Sequence, residues 1–171
     1  MTCESSPEQG LITDILVKVS GDLVESEQFY SWLSSVSTPQ TRLFILCGGG
    51  SAVTSKLNEK GVGFRFTEAG REIETEEGRI LAQQALEDQK KLVEGRLQGK
   101  GIKATVFIPV LMIPGKVCHM NGDLLVGALH PTFDKIYTAT LQHRIKTFPE
   151  KFNKIEIVNL ENNYGLIPPS T

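Results

Sequence analysis

No stretch of this chain approaches the ~20 consecutive apolar residues that a membrane helix requires, so no segment reads as one and no membrane partner is expected. Cysteine is scarce: Cys3, Cys47 and Cys118 are an odd number at wide spacing, which fits neither a disulfide framework nor a zinc knuckle. Cys47 and Cys118 sit in apolar stretches, where small buried thiols are expected. His119, His130 and His143 have no metal-ligand spacing with the cysteines or with one another, so no metal site is expected. A basic excess is missing too. Eighteen Lys and Arg against twenty Asp and Glu leave a net charge of -2, and such a chain offers no field for a nucleic-acid backbone. The local cluster Lys146 to Lys154 reads as a solvated face. Residues Met1 to Gly10 are polar and acidic, without the basic and apolar regions of a secretion signal. The reducing cytoplasm is therefore the expected location. Internal repeats, low-complexity tracts and a dividing linker are absent from the sequence.

What is present suits one core of ordinary domain size: 171 residues, 40% hydrophobic and 22% charged. The expected organisation is a loose tail over 1–11, a single α/β domain over 12–160, and an irregular tail over 161–171 that contains Pro168-Pro169. Ile12 to Val19 and Arg42 to Cys47 are continuous apolar runs, as in strands covered on both faces. Lys103 to Val110, Lys135 to Leu141 and Lys154 to Val158 read as further strands, with Leu111 to Cys118 a hairpin partner around Pro114-Gly115. Helical spacing appears over Glu25 to Val36, Ser51 to Lys60, Asn121 to Leu129 and, longest, Thr75 to Gln98. Between Gly61 and Arg71 the pattern is neither, and a hairpin or lid-like loop is expected. Strands alternating with helices predict a three-layer α/β/α sandwich with a mostly parallel central sheet. Ligands collect beyond the carboxyl ends of such strands.

Two of those strand ends are bare of side chains. Phe44-Ile-Leu-Cys47 runs into Gly48-Gly49-Gly50 and then Ser51, where a helix begins. Backbone amides in a glycine turn at a helix start attract anions. The first strand ends as Lys18-Val19-Ser20-Gly21, adding a cation. Together these suggest a phosphate site formed by Lys18, Ser20, Gly21, Gly48, Gly49 and Gly50; a merely flexible turn and a solvent-facing lysine are the plain alternatives. Neither turn is a Walker loop, which needs Gly-Lys-Ser/Thr at fixed spacing, nor a dinucleotide fingerprint. Phe64-Arg65-Phe66-Thr67 places one guanidinium between aromatics, suited to a ligand carboxylate or equally to a hairpin surface. His119-Met120-Asn121-Gly122-Asp123 sets polar groups at a strand-to-helix junction, where Asn121 or Asp123 either serves a ligand or caps the helix.

In this order and at these separations the motifs resemble those of the amino-acid kinase family, most closely its acetylglutamate-kinase-like members, over roughly residues 12–145. The counterparts are Lys18-Val19-Ser20-Gly21, Gly48 to Gly50, Phe64-Arg65-Phe66-Thr67, and His119-Met120-Asn121-Gly122-Asp123 with the helix and strand after it. The resemblance implies a carbamate-kinase-like fold and transfer of the γ-phosphoryl group of ATP, with Mg²⁺, to a carboxylate-bearing small molecule. By the same likeness Lys18 would be catalytic, stabilising charge on the phosphoryl group, and Asp123 would orient the catalytic lysines. Gly21, Gly48 and Gly49 would hold oxygens, Arg65 would bind an acceptor carboxylate, and Asn121 would help to place the acceptor. A homo-oligomer, such as a homodimer, is the expected assembly.

Three features depart from that pattern. His119 stands where the family has an asparagine, the family's Thr/Ser-Asp after its late strand is replaced near Ala139-Thr140-Leu141, and the family's second half, with its second lysine, has no counterpart in the shared region. A single electrostatic donor is worth ~3–4 kcal/mol in comparable sites, so Lys18 alone would leave the transfer poorly supported. The competing reading is therefore an inactive, kinase-like binding, sensor or oligomerisation protein. Uridylate, carbamate and isopentenyl-phosphate kinases share the plan, so the acceptor stays unnamed.

Overall fold

The computed structural model describes residues 11–161; the expected tails lie outside them, apart from Leu11 and Glu161. Five strands form one sheet: β1 (Thr13–Val19), β2 (Thr41–Cys47), β5 (Ala104–Phe107), β8 (Lys135–Leu141) and β9 (Ile155–Leu160). Their order is β5-β2-β1-β8-β9 and every pairing is parallel. Two antiparallel hairpins stand apart from the sheet. One is β3 (Phe64–Thr67) with β4 (Gly70–Ile73), the other β6 (Val110–Ile113) with β7 (Lys116–His119). The apolar stretch expected as one strand from Lys103 to Val110 is thus split. Its end belongs to the second hairpin, which turns at Pro114-Gly115, where Gly115 takes φ 75°.

Helices α1 (Glu27–Val36), α2 (Gly50–Glu59), α3 (Glu76–Gly99) and α4 (Gly122–Leu129), with a single 3-10 turn over Gly21–Leu23, complete the described elements. Three of them begin on a side-chain oxygen that accepts an orphan amide of the first turn: Ser26 from Phe29, Thr75 from Gly78, and Asn121 from Asp123. Glycine N-caps α2 and supplies no such oxygen.

Strand alternation explains the layers. Val17, Val19, Ile45 and Cys47 point to one face and pack with Phe29, Tyr30 and Leu33 of α1 and with Val93 and Leu97 of α3. Leu16, Leu46 and Ile136 point to the other face and meet Val126 of α4, Phe133 and Phe148. A third cluster joins α2 to the first half of α3 through Val53, Leu57, Ala82, Ala85 and Leu86. The molecule is a three-layer α/β/α sandwich with an all-parallel central sheet. No helix among the described residues is long and apolar enough to cross a membrane.

The order of the strands fixes where a site forms. From β1 the chain proceeds to β2 and β5 on one side, and β8 and β9 fill the other. The reversal lies between β1 and β8, and the crevice beyond their carboxyl ends is where such sheets take ligands.

Candidate anion-binding site

A cavity of about 580 Å³ opens at that crevice, within the range of small-molecule sites. Its wall includes Lys18, Ser20, Gly21 and Gly48 to Gly50 from the two strand ends, Arg71 from the first hairpin, Asn121 from the start of α4, and Arg144 from the β8–β9 loop.

The glycines are required by proximity of backbone to backbone. A Cβ on Gly21 would stand 2.5 Å from the Gly49 carbonyl carbon and 2.6 Å from the Gly50 nitrogen. One on Gly48 would meet the Val19 carbonyl oxygen at 2.9 Å. The two turns therefore nest into each other, and Gly50 adds a left-handed φ of 46° that admits α2 directly after the strand. Several amides of the region are already used, Ser20 donating to the Ala139 carbonyl at 3.0 Å among them. Gly48 donates to the Val19 carbonyl at 2.9 Å, and Ser51 donates to Asp22 Oδ1 at 3.0 Å, its hydroxyl reinforcing the same oxygen at 2.6 Å. The anion nearest the start of α2 is thus the protein's own Asp22. Arg144 clamps that carboxylate at 2.6 Å and also donates to the Ser20 hydroxyl at 3.3 Å. Burial opposes the Asp22 charge, but Ser51 and Arg144 outweigh it and hold the carboxyl below its usual range.

Lys18 lies on the face of β1 that meets α4, two residues beyond Leu16, and it is 8% exposed. Its ammonium lies 3.2 Å from Asp123 Oδ1, an ion pair without hydrogen-bond alignment. Lys146, reaching in from the β8–β9 loop, donates to the other oxygen, Asp123 Oδ2. One carboxylate therefore holds two lysines side by side. Burial pushes the Lys18 amine down to about 8; Asp123 pulls it back up and Lys146 adds to the depression. For Asp123, burial raises the pKa, and the two lysines more than reverse that and keep it ionised.

The structure thus brings Lys18, Ser20, Gly21, Gly48, Gly49, Gly50 and Asn121 to one cavity, with Asp123 directly behind Lys18. Asn121 serves as the N-cap of α4, its Oδ1 accepting from the Asp123 amide at 2.8 Å. Arg65 is not brought in. It projects from the outer face of the β3–β4 hairpin, with 74% of its side chain exposed and Glu72 at 2.7 Å. The inner face carries Arg71, which pairs across the hairpin with Phe66. His119 is structural: Nε2 donates to the Arg79 carbonyl at 2.7 Å, tying β7 to α3, and burial lowers its pKa.

Four participants escaped the sequence reading: Asp22, Arg71, Arg144 and Lys146. The cluster from Lys146 is not wholly a solvated face, because Lys146 itself is only 18% exposed and turned toward Asp123. Nothing in a loop's local pattern marks such a residue. Three cations (Lys18, Arg144, Lys146) pair with two carboxylates (Asp22, Asp123) at this rim, Arg71 adds a fourth at the cavity wall, and no carboxylate among the described residues forms part of that wall. The arrangement can therefore hold an anion and compensate charge that develops on it. Compared with known proteins, the chain matches no protein-family model and no curated protein.

Proposed function

We propose that this cavity binds a phosphoryl-bearing small molecule and acts as an amino-acid-kinase-like, ATP-dependent phosphotransferase. The single observation carrying the reading is the Lys18–Asp123–Lys146 array beside the two nested glycine turns. Phosphoryl transfer asks the protein for placement and charge compensation rather than for a nucleophile, and these residues supply both. Lys18 and Lys146 would neutralise equatorial oxygens. Asp123 holds the two ammonium groups adjacent. Gly21, Gly48, Gly49 and Gly50 line the cavity, and their missing side chains let the two turns nest at its floor.

The residues fit a phosphate group, because the rim is net cationic and glycine-lined. They fit a protein-bound metal poorly. Both oxygens of Asp123 and both of Asp22 already face cations or Ser51, and no cluster of three or more candidate ligands exists among the described residues. Mg²⁺ would therefore arrive on the nucleotide's own phosphates. ATP, when bound, supplies the transferable group and Mg²⁺ withdraws charge from it.

Isothermal titration with ATP–Mg²⁺, and separately with acidic amino acids, followed by a turnover assay, tests the reading. Nucleotide binding with turnover abolished in Lys18→Ala and reduced at least tenfold in Lys146→Ala is the expected result. Acid binding without nucleotide binding would make the protein a sensor instead. Light scattering decides the accompanying proposal of a homodimer, which a strict monomer overturns.

A further inference from the structure

Asp22 is built into the nested glycine turns without forming part of the cavity wall. A Cβ on Gly50 would stand 2.8 Å from its Oδ1, and its side chain is only 11% exposed. Its two oxygens are divided between two elements. Oδ1 accepts from the Ser51 amide at 3.0 Å and from the Ser51 hydroxyl at 2.6 Å, both at the start of α2. Oδ2 accepts from Arg144 Nη2 at 2.6 Å. The guanidinium, unlike its partner, does lie on the wall.

The two ends of this pair are held unequally. Asp22 is fixed by Ser51 through two donors. Arg144 comes from the irregular β8–β9 loop, is 44% exposed, and adds to its Asp22 bond a long one to the Ser20 hydroxyl at 3.3 Å. An ion pair with an exposed member contributes little. A phosphoryl group offers that guanidinium two parallel N–H···O bonds and, as a dianion, a stronger attraction than one carboxylate does. Arg144 is therefore the member able to change partners, and it already stands at the wall. While it is paired, its charge is answered by the protein itself.

We propose that Arg144 is a phosphoryl-binding residue of the cavity held in reserve by Asp22, whose carboxylate acts as an internal competitor for the ligand. The proposal rests on the reading above and adds its regulation. An entering phosphoryl group takes Arg144 from Asp22, while Asp22 keeps its two bonds from Ser51. The empty protein thus binds anions more weakly than its cations alone would allow.

Isothermal titration with inorganic pyrophosphate across a double-mutant cycle tests the clasp. Asp22→Asn keeps a side-chain oxygen for Ser51 and sets an amide N–H against Nη2, so it frees Arg144 without removing the contact to α2. Affinity for pyrophosphate should rise about tenfold or more. On an Arg144→Gln background the same substitution should gain no more than about threefold, since only screened repulsion between Asp22 and the ligand is then removed. Asp22→Ser, a smaller uncharged replacement, repeats the cycle should Asp22→Asn fail to fold, and circular dichroism checks the fold of each variant. Equal gains on both backgrounds would reduce Asp22 to a through-space charge and overturn the proposal. Unchanged or weaker binding in Asp22→Asn, with pyrophosphate still bound by the wild-type protein, overturns the clasp alone and leaves the phosphoryl reading standing. Pyrophosphate binding by neither protein at millimolar concentration overturns both, so the two failures are separable.

Discussion

At the scale of single residues, Lys18 is the one whose energetics are most exposed to experiment. Its amine is lowered from 10.5 to about 8 in the folded protein, chiefly by burial, with Asp123 opposing and Lys146 assisting. Between pH 8 and 10.5 the unfolded chain thus binds more protons than the folded one, and stability rises with pH across that window. Below pH 8 the penalty is present in full. The melting temperature of the wild-type protein relative to Lys18→Met should accordingly climb from pH 7 to pH 10. A flat difference would show that the ammonium is not strained. Anion binding reverses the balance, since a bound anion favours the charged amine; affinity for pyrophosphate should fall above pH 8, with proton uptake visible in buffers of different ionisation enthalpy. Thr138 makes a second case. It sits beside Lys18 in the β1–β8 register, fully buried, and its hydroxyl has no hydrogen-bond partner. Replacing a buried, unsatisfied hydroxyl by a methyl group of the same shape removes a desolvation cost. Thr138→Val should stabilise the protein by about 1 kcal/mol in urea unfolding, and destabilisation would mean the hydroxyl is satisfied in solution.

At the scale of elements, the contrast between glycines separates packing from propensity. Gly21→Ala drives a methyl group into the backbone of Gly49 and Gly50 at 2.5–2.6 Å, and neither turn has room to give. Overpacking of this kind costs about 1–3 kcal/mol or more, and it should abolish pyrophosphate binding with it. Gly95, exposed in the C-terminal part of α3, meets nothing within 4 Å. Gly95→Ala should stabilise by about 0.5–1 kcal/mol through helix propensity alone. Paired denaturant curves check both signs. The same elements show what a sequence discloses. β1 and β2 were legible because strands buried on both faces read as apolar runs, and α3 because its charges and apolar residues alternate at helical spacing. The β6–β7 hairpin was blurred with β5, since Ala104 to Ile113 is apolar almost throughout and only Pro109 marks the change of direction. At the site, Lys18 and the glycines were visible as strand ends. Lys146, Arg144 and Arg71 were not, because their proximity to Asp123, Asp22 and Gly50 is created by the fold and not by spacing. Arg65 and Arg71 illustrate the limit: both are arginines on one hairpin, and only the pleat decides which faces inward.

At the scale of the whole molecule, charge is distributed against its own total. The chain carries a net charge of -2, yet cations gather where β1, β2 and β8 end, three of them on two carboxylates and Arg71 at the cavity wall beside them. Mutual repulsion at that rim is a standing cost to the empty fold, and an anion that bridges the cations relieves it. Such a ligand stabilises by mass action, about 2.7 kcal/mol at a hundred times its dissociation constant. For a domain of this size each kcal/mol moves the melting temperature by roughly 2–4 °C, so saturating pyrophosphate should raise it by about 5–10 °C. Sodium chloride at matched ionic strength should not reproduce the shift, because screening over a Debye length of about 8 Å weakens the Lys18–Asp123 and Arg144–Asp22 attractions together with the repulsions. The Lys18→Ala, Lys146→Ala double variant should lose most of the pyrophosphate shift, whereas Lys151→Ala, an exposed lysine of the same loop that lies over Phe152 and is not part of the cavity wall, should retain it. Equal shifts in all three proteins would mean that pyrophosphate acts as a general salt on the surface, and the rim would then be an electrostatic feature of the fold without a ligand.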